Sequence, residues 1–276
     1  MKVLFEIGHF PIYIFGFFIA LGVMAGIVVA MLEAKRKKYD EDKLFNFILV
    51  AMVSGILGAR IYFILAFNLD YYLENPIKIF AFRDGGLSIQ GALIFGILGS
   101  LIYGKIKKIN IWEVADIVAP GIILGQAIGR IGCDVFGVEM SKELFWGVSM
   151  KGQLLHPAQI YEAVLNFILF GILWSKRKSV KFNGQLFSIY LIGFSINRFI
   201  VEFFRTNPIV FGGLTIAHVT GIIMLIVSVV LYRILSSRGN IKKDNKVKKY
   251  DINIKELLVI ISLIVISVTI YYSIWL

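Results

Sequence analysis

The sequence predicts an all-α, polytopic integral membrane helical bundle, and three observations carry that prediction. Hydrophobic residues make up 58% of the 276 and charged residues only 17%, with a mean hydropathy of +0.80. A soluble domain carries about a quarter charged residues and roughly 45–50% apolar ones. The apolar residues collect in runs of about 20, the length that crosses a bilayer. The basic residues, which give a net charge of +11, cluster in short segments between those runs. That placement marks cytoplasmic loops of a membrane protein and argues against nucleic acid as a partner. The single cysteine, Cys133, excludes a disulfide framework, a Cys-based structural zinc and an iron–sulfur cluster.

Eight runs are expected to span, taken in order as 10–32, 44–67, 87–104, 111–133, 158–174, 185–204, 214–232 and 257–275. The first is too long for a signal-peptide core and no small-residue cleavage pattern follows it, so it reads as a retained helix. The second carries Arg60 in the stretch GILGARI. The segment Tyr71–Phe82 is apolar but broken by Pro76 and too short to cross, which places it in the outer interface. The third run opens on Gly85-Gly86, with Ser88, Gln90 and Gly91 close behind. The fourth holds Gly125, Gly129 and Gly132, a spacing that lets helices or a ligand approach closely. The resemblance of GQAIGRI at 125–131 to GILGARI at 55–61 is explained by packing glycines rather than by a repeat. The connection 134–157 holds Trp146, an interface anchor. The fifth run begins at His156-Pro157, a proline suited to a first helical turn. The sixth carries Arg198 and Glu202, and the seventh leads into a basic segment, 236–255. The chain thus divides into a membrane-embedded domain over 1–235, a cytoplasmic linker over 236–255 and an additional helix over 256–276.

Lys and Arg set the orientation. The segments after runs one, three, five and seven hold five, three, four and eight of them, twenty in all. The other side holds six, so the positive-inside rule puts both termini outside.

The remaining three arginines lie where charge is costly, at least ~2.5–3.5 kcal/mol each on insertion scales. Arg60, Arg130 and Arg198 fall in the outer halves of three runs, with Arg205 just beyond. Acids at similar depth are Asp134, Glu139, Glu162 and Glu202. A single such arginine reads as snorkelling or as a structural ion pair, and Arg198 and Glu202, spaced i, i+4, are suited to neutralise each other. Three at one depth read as a site for phosphate, which arginine forks bind bidentately, and the phosphates at that depth belong to phospholipids. His156, Gln159, Tyr161 and Glu162 open the fifth run, with Gln159 and Glu162 on one helical face.

These residues resemble a family, the bacterial prolipoprotein diacylglyceryl transferases, enzymes of the cytoplasmic membrane. The match rests on GARIYFILAFN (58–68), GGLSIQG (85–91), GRIG (129–132) with FWGV (145–148), HPAQIYEA (156–163) and RFIVEFFR (198–205), spread over about 10–232. The resemblance implies seven spans, with 257–275 as an additional one. It implies transfer of the diacylglyceryl group of phosphatidylglycerol to the lipobox cysteine of prolipoproteins, with a thioether formed and glycerol phosphate released. It implies no metal and no organic cofactor, and a site facing the outer leaflet. Arg130, Arg198, Glu202, Gln90 and His156 are then expected at the chemistry. Arg60, Gly129, Gly132, Cys133, Glu139, Gln159, Tyr161, Glu162 and Arg205 are expected around the substrates.

The sequence also departs from the family pattern. Gln90 stands where the family has histidine, and glutamine is no base at neutral pH. Cys133 stands at the family's asparagine, where it is either a nucleophile beside Arg130 or a small buried residue. Glu139 meets the family's acid only with one residue inserted, Ile14-Phe15-Gly16 replaces Trp-Tyr-Gly, and Leu155 replaces an arginine. Either His156 or Glu139 supplies the base, or the chain is a divergent paralogue that binds anionic phospholipid with altered chemistry. An anionic-lipid transporter would use the same arginines but needs a charged path inward. Only Glu113 and Asp116 lie low on the fourth run.

Overall fold

The computed structural model describes residues 2–8, 10–82, 85–238 and 254–275, so most of the basic linker lies outside the described residues. A hairpin of β1 (Val3–Ile7) and β2 (Phe10–Tyr13) leads into α1 (Ile14–Lys37), followed by α2 (Glu41–Phe67) and a short α3 (Leu69–Glu74). A 3-10 turn over Pro76–Phe80 precedes α4 (Ile89–Ile106) and α5 (Ile111–Ile131). Strands β3 (Val148–Met150) and β4 (Gln153–Leu155) form the connection to α6 (Ala158–Lys176). Then come α7 (Gln185–Glu202), the pair β5 (Ile209–Phe211) and β6 (Leu214–Thr215), α8 (Ile216–Arg238) and α9 (Ile254–Trp275). Among the described residues the strands make three separate two-stranded antiparallel ribbons, one leading into α1 and two in connections between helices, so the body of the fold is helical as expected.

Among the described residues seven helices, α1, α2, α4, α5, α6, α8 and α9, are long and apolar enough to cross a membrane, and the chain is a multi-pass membrane protein. Helix α7 forms where the sixth run was expected but falls short of that apolarity. Its buried face carries Ser188, Ser195, Asn197 and Glu202. Large apolar side chains such as Leu65, Ile97, Ile223 and Val259 remain exposed. Rows of this kind are a liability in water and the ordinary surface of a protein dissolved in lipid. Pro76 breaks the segment after α2 as the sequence requires, leaving Ile77 and Phe80 exposed.

Contacts divide the chain into two compact units. One is Met31–Val114, the other Met1–Ala30 together with Ala115–Leu276. In the smaller unit, α2 and α4 pack through glycines, and a Cβ on Gly58 would strike the Phe95 ring. In the larger unit, Gly22 and Gly26 of α1 lie against Gly125 and Gly121 of α5, where a Cβ on Gly26 would come within 2.8 Å of the Gly121 carbonyl. Small residues four apart on both helices allow that approach. The larger unit's core joins Ile123 and Ala127 of α5, Phe167 and Leu173 of α6, Leu186 of α7 and Tyr271 of α9. Asp116, fully buried on α5, accepts the amide N–H groups of Gly184 (2.8 Å) and Phe187 (2.9 Å). An acid belongs at that end of α7, where unpaired amides and the helix dipole leave positive charge. The low-lying acid thus has a structural task rather than a place on an inward path.

Candidate active site

Helices α5, α6 and α7 of the larger unit bring the charged residues together. Arg130, in the last turn of α5, pairs through Nη2 with Glu162 Oε1 of α6 at 2.9 Å. Arg198 of α7 pairs through Nη2 with Glu202 Oε2 at 2.8 Å, and Arg205 Nε lies 3.8 Å from the same oxygen. Arg198 also feels the charges of Glu162, Arg130 and Arg205. Three arginines and two glutamates leave one net positive charge on the cluster.

Exposure is divided unequally within these pairs. The Arg130 and Arg198 side chains keep 32% and 24% of their surface, whereas those of Glu162 and Glu202 keep 2% and 0%. The carboxylates therefore stand behind the guanidiniums and fix them, while guanidinium N–H groups remain open on the other side. Buried ion pairs hold only when their remaining lone pairs are satisfied. At Glu202 the oxygen that does not pair with Arg198 is satisfied, Oε1 accepting from Asn207 Nδ2 (2.6 Å) and Thr215 Oγ1 (2.7 Å), while Oε2 has the ion pairs alone. Thr215 in turn accepts the amide N–H of His218, and its own amide donates to His218 Nδ1 at 3.2 Å. Sequence reasoning did not find Asn207, Thr215 or His218: Asn207 reaches Glu202 from the turn after α7, Thr215 only after the β5–β6 ribbon folds back, and His218 only through Thr215.

Helix α6 carries a buried polar stripe of Gln159, Glu162 and Asn166, spaced i, i+3 and i+7 on one face. Asn166 Oδ1 accepts from Asn197 Nδ2 of α7 at 3.1 Å. Both amide atoms of Gln159 and Glu162 Oε2 are buried with no hydrogen-bond partner in the structure. Buried polar atoms are nearly always partnered, so this group beside the arginines is ready to receive the polar part of a ligand. Asn166 was legible as a continuation of the Gln159–Glu162 spacing but was not singled out, and Asn197, on α7, has no such signal.

His156 sits at the mouth of α6, partly buried. Its Nδ1 lies 3.2 Å from the Tyr161 hydroxyl, which also accepts from Trp146 Nε1 at 2.9 Å. Phe204, one residue before Arg205, lies against both the His156 and Tyr161 rings. Burial holds the His156 pKa below the ordinary histidine value, so its ring is neutral at neutral pH.

Other expected residues stand elsewhere. Arg60, on α2 of the smaller unit, spends all five N–H groups on backbone carbonyls. Nε donates to Ile79, Nη1 to Gly85 and Gly86, and Nη2 to Lys78 and Ala81, at 2.6–3.2 Å. That saturation makes it a clamp on the backbone at 78–81 and 85–86 rather than a ligand for phosphate. Gly129 and Gly132 face α1 instead of a substrate: a Cβ would come within 3.1 Å of Ile19 Cδ1 at the first and 2.8 Å of Phe18 Cδ2 at the second. Both are packing glycines. Glu139 is exposed, bridged to Leu155 on the β-ribbon, with Gln153 Nε2 3.4 Å away. Gln90 opens α4 in the smaller unit, exposed, its Oε1 accepting from Ser88 Oγ at 2.6 Å. Cys133 is buried, with Sγ 3.9 Å from Arg130 Nη1. Among the described residues, no three His, Cys, Asp or Glu side chains converge to hold a metal ion. The arrangement is suited to hold a phosphate ester between open arginine forks, with a neutral imidazole on the same unit.

Comparison with known proteins agrees with that chemistry. The family model described as prolipoprotein diacylglyceryl transferase matches residues 2–234. The phosphatidylglycerol–prolipoprotein diacylglyceryl transferase of Bacillus cytotoxicus is 36% identical over 256 residues, covering 88% of this chain and 94% of its own. That of Clostridioides difficile is 38% identical over 247 residues, with 88% and 99% covered. A Bacillus cereus protein of the same name is 34% identical over 256 residues, with 88% and 94% covered.

Proposed function

The chain belongs to the prolipoprotein diacylglyceryl transferase family, and on that premise we propose that it transfers the diacylglyceryl group of phosphatidylglycerol to the lipobox cysteine thiol of a prolipoprotein. The thiol sulfur bonds to the glycerol carbon that bears the phosphate, the carbon–oxygen bond breaks, and glycerol phosphate leaves. The observation that carries the reading is the pair of open-faced arginines, Arg130 and Arg198, each backed by a buried carboxylate. Charge builds on the departing phosphate ester, and donors already fixed in place lower that barrier without reorganising.

A thiol attacks only after losing its proton. His156 is the proposed acceptor. With Nδ1–H donated to the Tyr161 oxygen, Nε2 keeps the lone pair that takes the proton. Gln159 and Glu162, with buried atoms still unpaired, are suited to the glycerol hydroxyls of the lipid headgroup. Arg205 shares the negative charge of Glu202 and leaves Arg198 freer toward phosphate. Cys133, Tyr161 and Phe204 line the approach. Gln90, through its bond with Ser88, holds the start of α4. Family membership supports a bacterial cytoplasmic membrane location, and the positive-inside count supports both termini outside with the site facing the outer leaflet.

A second reading rests on Gln90: a divergent paralogue that keeps the lipid site and has changed the chemistry. One assay separates the two. Purified protein is given phosphatidylglycerol and a lipobox peptide, and peptide mass and released glycerol phosphate are followed. A gain of one diacylglyceryl unit, lost in Arg130→Ala and His156→Ala, is the expected result. Saturable lipid binding that needs Arg130, with no transfer by the native chain or by Gln90→His, selects the paralogue.

A further inference from the structure

Helix α9 lies beyond the residues that match the family model, yet it is fastened to the larger unit along its whole length. At its start, Glu256 Oε1 is 3.3 Å from Arg177 Nη2 and 3.9 Å from Lys178 Nζ. In its first half, Ile260 fills the space left by Gly171 of α6. Tyr271 is wholly buried in the core it shares with α5 and α6. At its end, Lys2 Nζ donates to the Ile274 carbonyl at 2.6 Å and stands over the Trp275 ring. A helix serving only as an extra anchor needs none of these contacts, because lipid satisfies an apolar helix equally well.

Two bonds of its last turns run toward the site. The Tyr272 hydroxyl donates to the Trp146 carbonyl at 2.6 Å; Trp146 Nε1 donates to Tyr161, and Tyr161 meets His156. Trp275 Nε1 donates to the Ile131 carbonyl at 3.4 Å, beside Arg130, and its ring meets Phe136 edge-on. We propose that α9 is a built-in positioning element of the transfer site, with Tyr272 setting the Trp146–Tyr161–His156 chain and Trp275 setting the end of α5 that carries Arg130. This rests on the proposed transferase reading.

The test uses the full chain labelled with fluorotryptophan, in bilayers containing phosphatidylglycerol, with the Trp146 fluorine resonance assigned by Trp146→Phe. In Tyr272→Phe that resonance shifts, as it does in Tyr161→Phe. Loss of the one hydrogen bond lowers kcat for peptide modification by about three- to tenfold while KM for the peptide stays within about twofold. Trp275→Phe acts through the end of α5 and lowers kcat similarly, so its kcat is the readout should Tyr272→Phe fail to fold. An unmoved Trp146 resonance in Tyr272→Phe overturns the proposal, as does unchanged kcat in both variants. A moved resonance in a chain whose native form transfers no lipid leaves the bracing standing and removes the transferase reading.

Discussion

Arg60 on α2 and the arginine pair of α5 and α7 look alike in the sequence, each a charge in an apolar helix, and they are used in opposite ways. Arg60 is 3% exposed, rests against Tyr72 and Phe82, and has every N–H satisfied by a carbonyl. Arg130 and Arg198 face buried carboxylates on one side only and stay open on the other. A buried arginine is therefore not defined by its depth or its neighbours in the chain. What satisfies its five donors decides whether it organises backbone or waits for an anion.

The strongest way to break this comparison is Arg130→Ala. Removing one preorganised donor to the leaving group lowers transfer by about 10²–10³-fold. It also strands Glu162, and losing one partner of a buried pair costs about 3–5 kcal/mol, read as a lower thermal midpoint. Arg198→Lys sharpens it: the charge stays but the fork goes, and transfer falls about tenfold or more with the midpoint nearly unchanged. Arg60→Lys gives the reverse. Three donors replace five, so the backbone at 78–81 and 85–86 loosens by about 1–3 kcal/mol and the segment is cut faster by protease, while transfer by the folded fraction stays within about threefold. If Arg60→Lys instead abolishes transfer without loosening the segment, the two arginines are not different in kind.

A smaller effect concerns His156. Burial disfavours its protonated form, so the folded chain takes up that proton less readily than the unfolded chain. Stability is then present at neutral pH and declines as pH falls through the ordinary histidine range, and the acid limb of transfer lies below 6.5. A limb at or above that value, unmoved in His156→Gln, removes the residue from proton transfer.

Some of the site could be read directly. Arg198–Glu202 sits i, i+4 on one helix, and Gln159 and Glu162 share a face because of helical period alone. Other residues misled for a physical reason. Gly129 and Gly132 have the spacing of a close approach, and spacing does not say whether a ligand or α1 approaches. Asp116 stood out only as one of two low charges, and its partners, the amides that open α7, are 68 and 71 residues away. Partners supplied across a turn or a ribbon, such as Thr215 on Glu202 or Trp146 on Tyr161, have no helical spacing to announce them.

By itself the sequence determined that the chain is a helical membrane protein, where its helices run, and which family it belongs to. Those follow from hydropathy, period and motif order, all local or linear properties. Only the tertiary structure decided which arginines are open, which glycines pack, why α7 is polar and where α9 docks. Each of those depends on what stands opposite a side chain, and that is fixed by packing between segments tens to hundreds of residues apart.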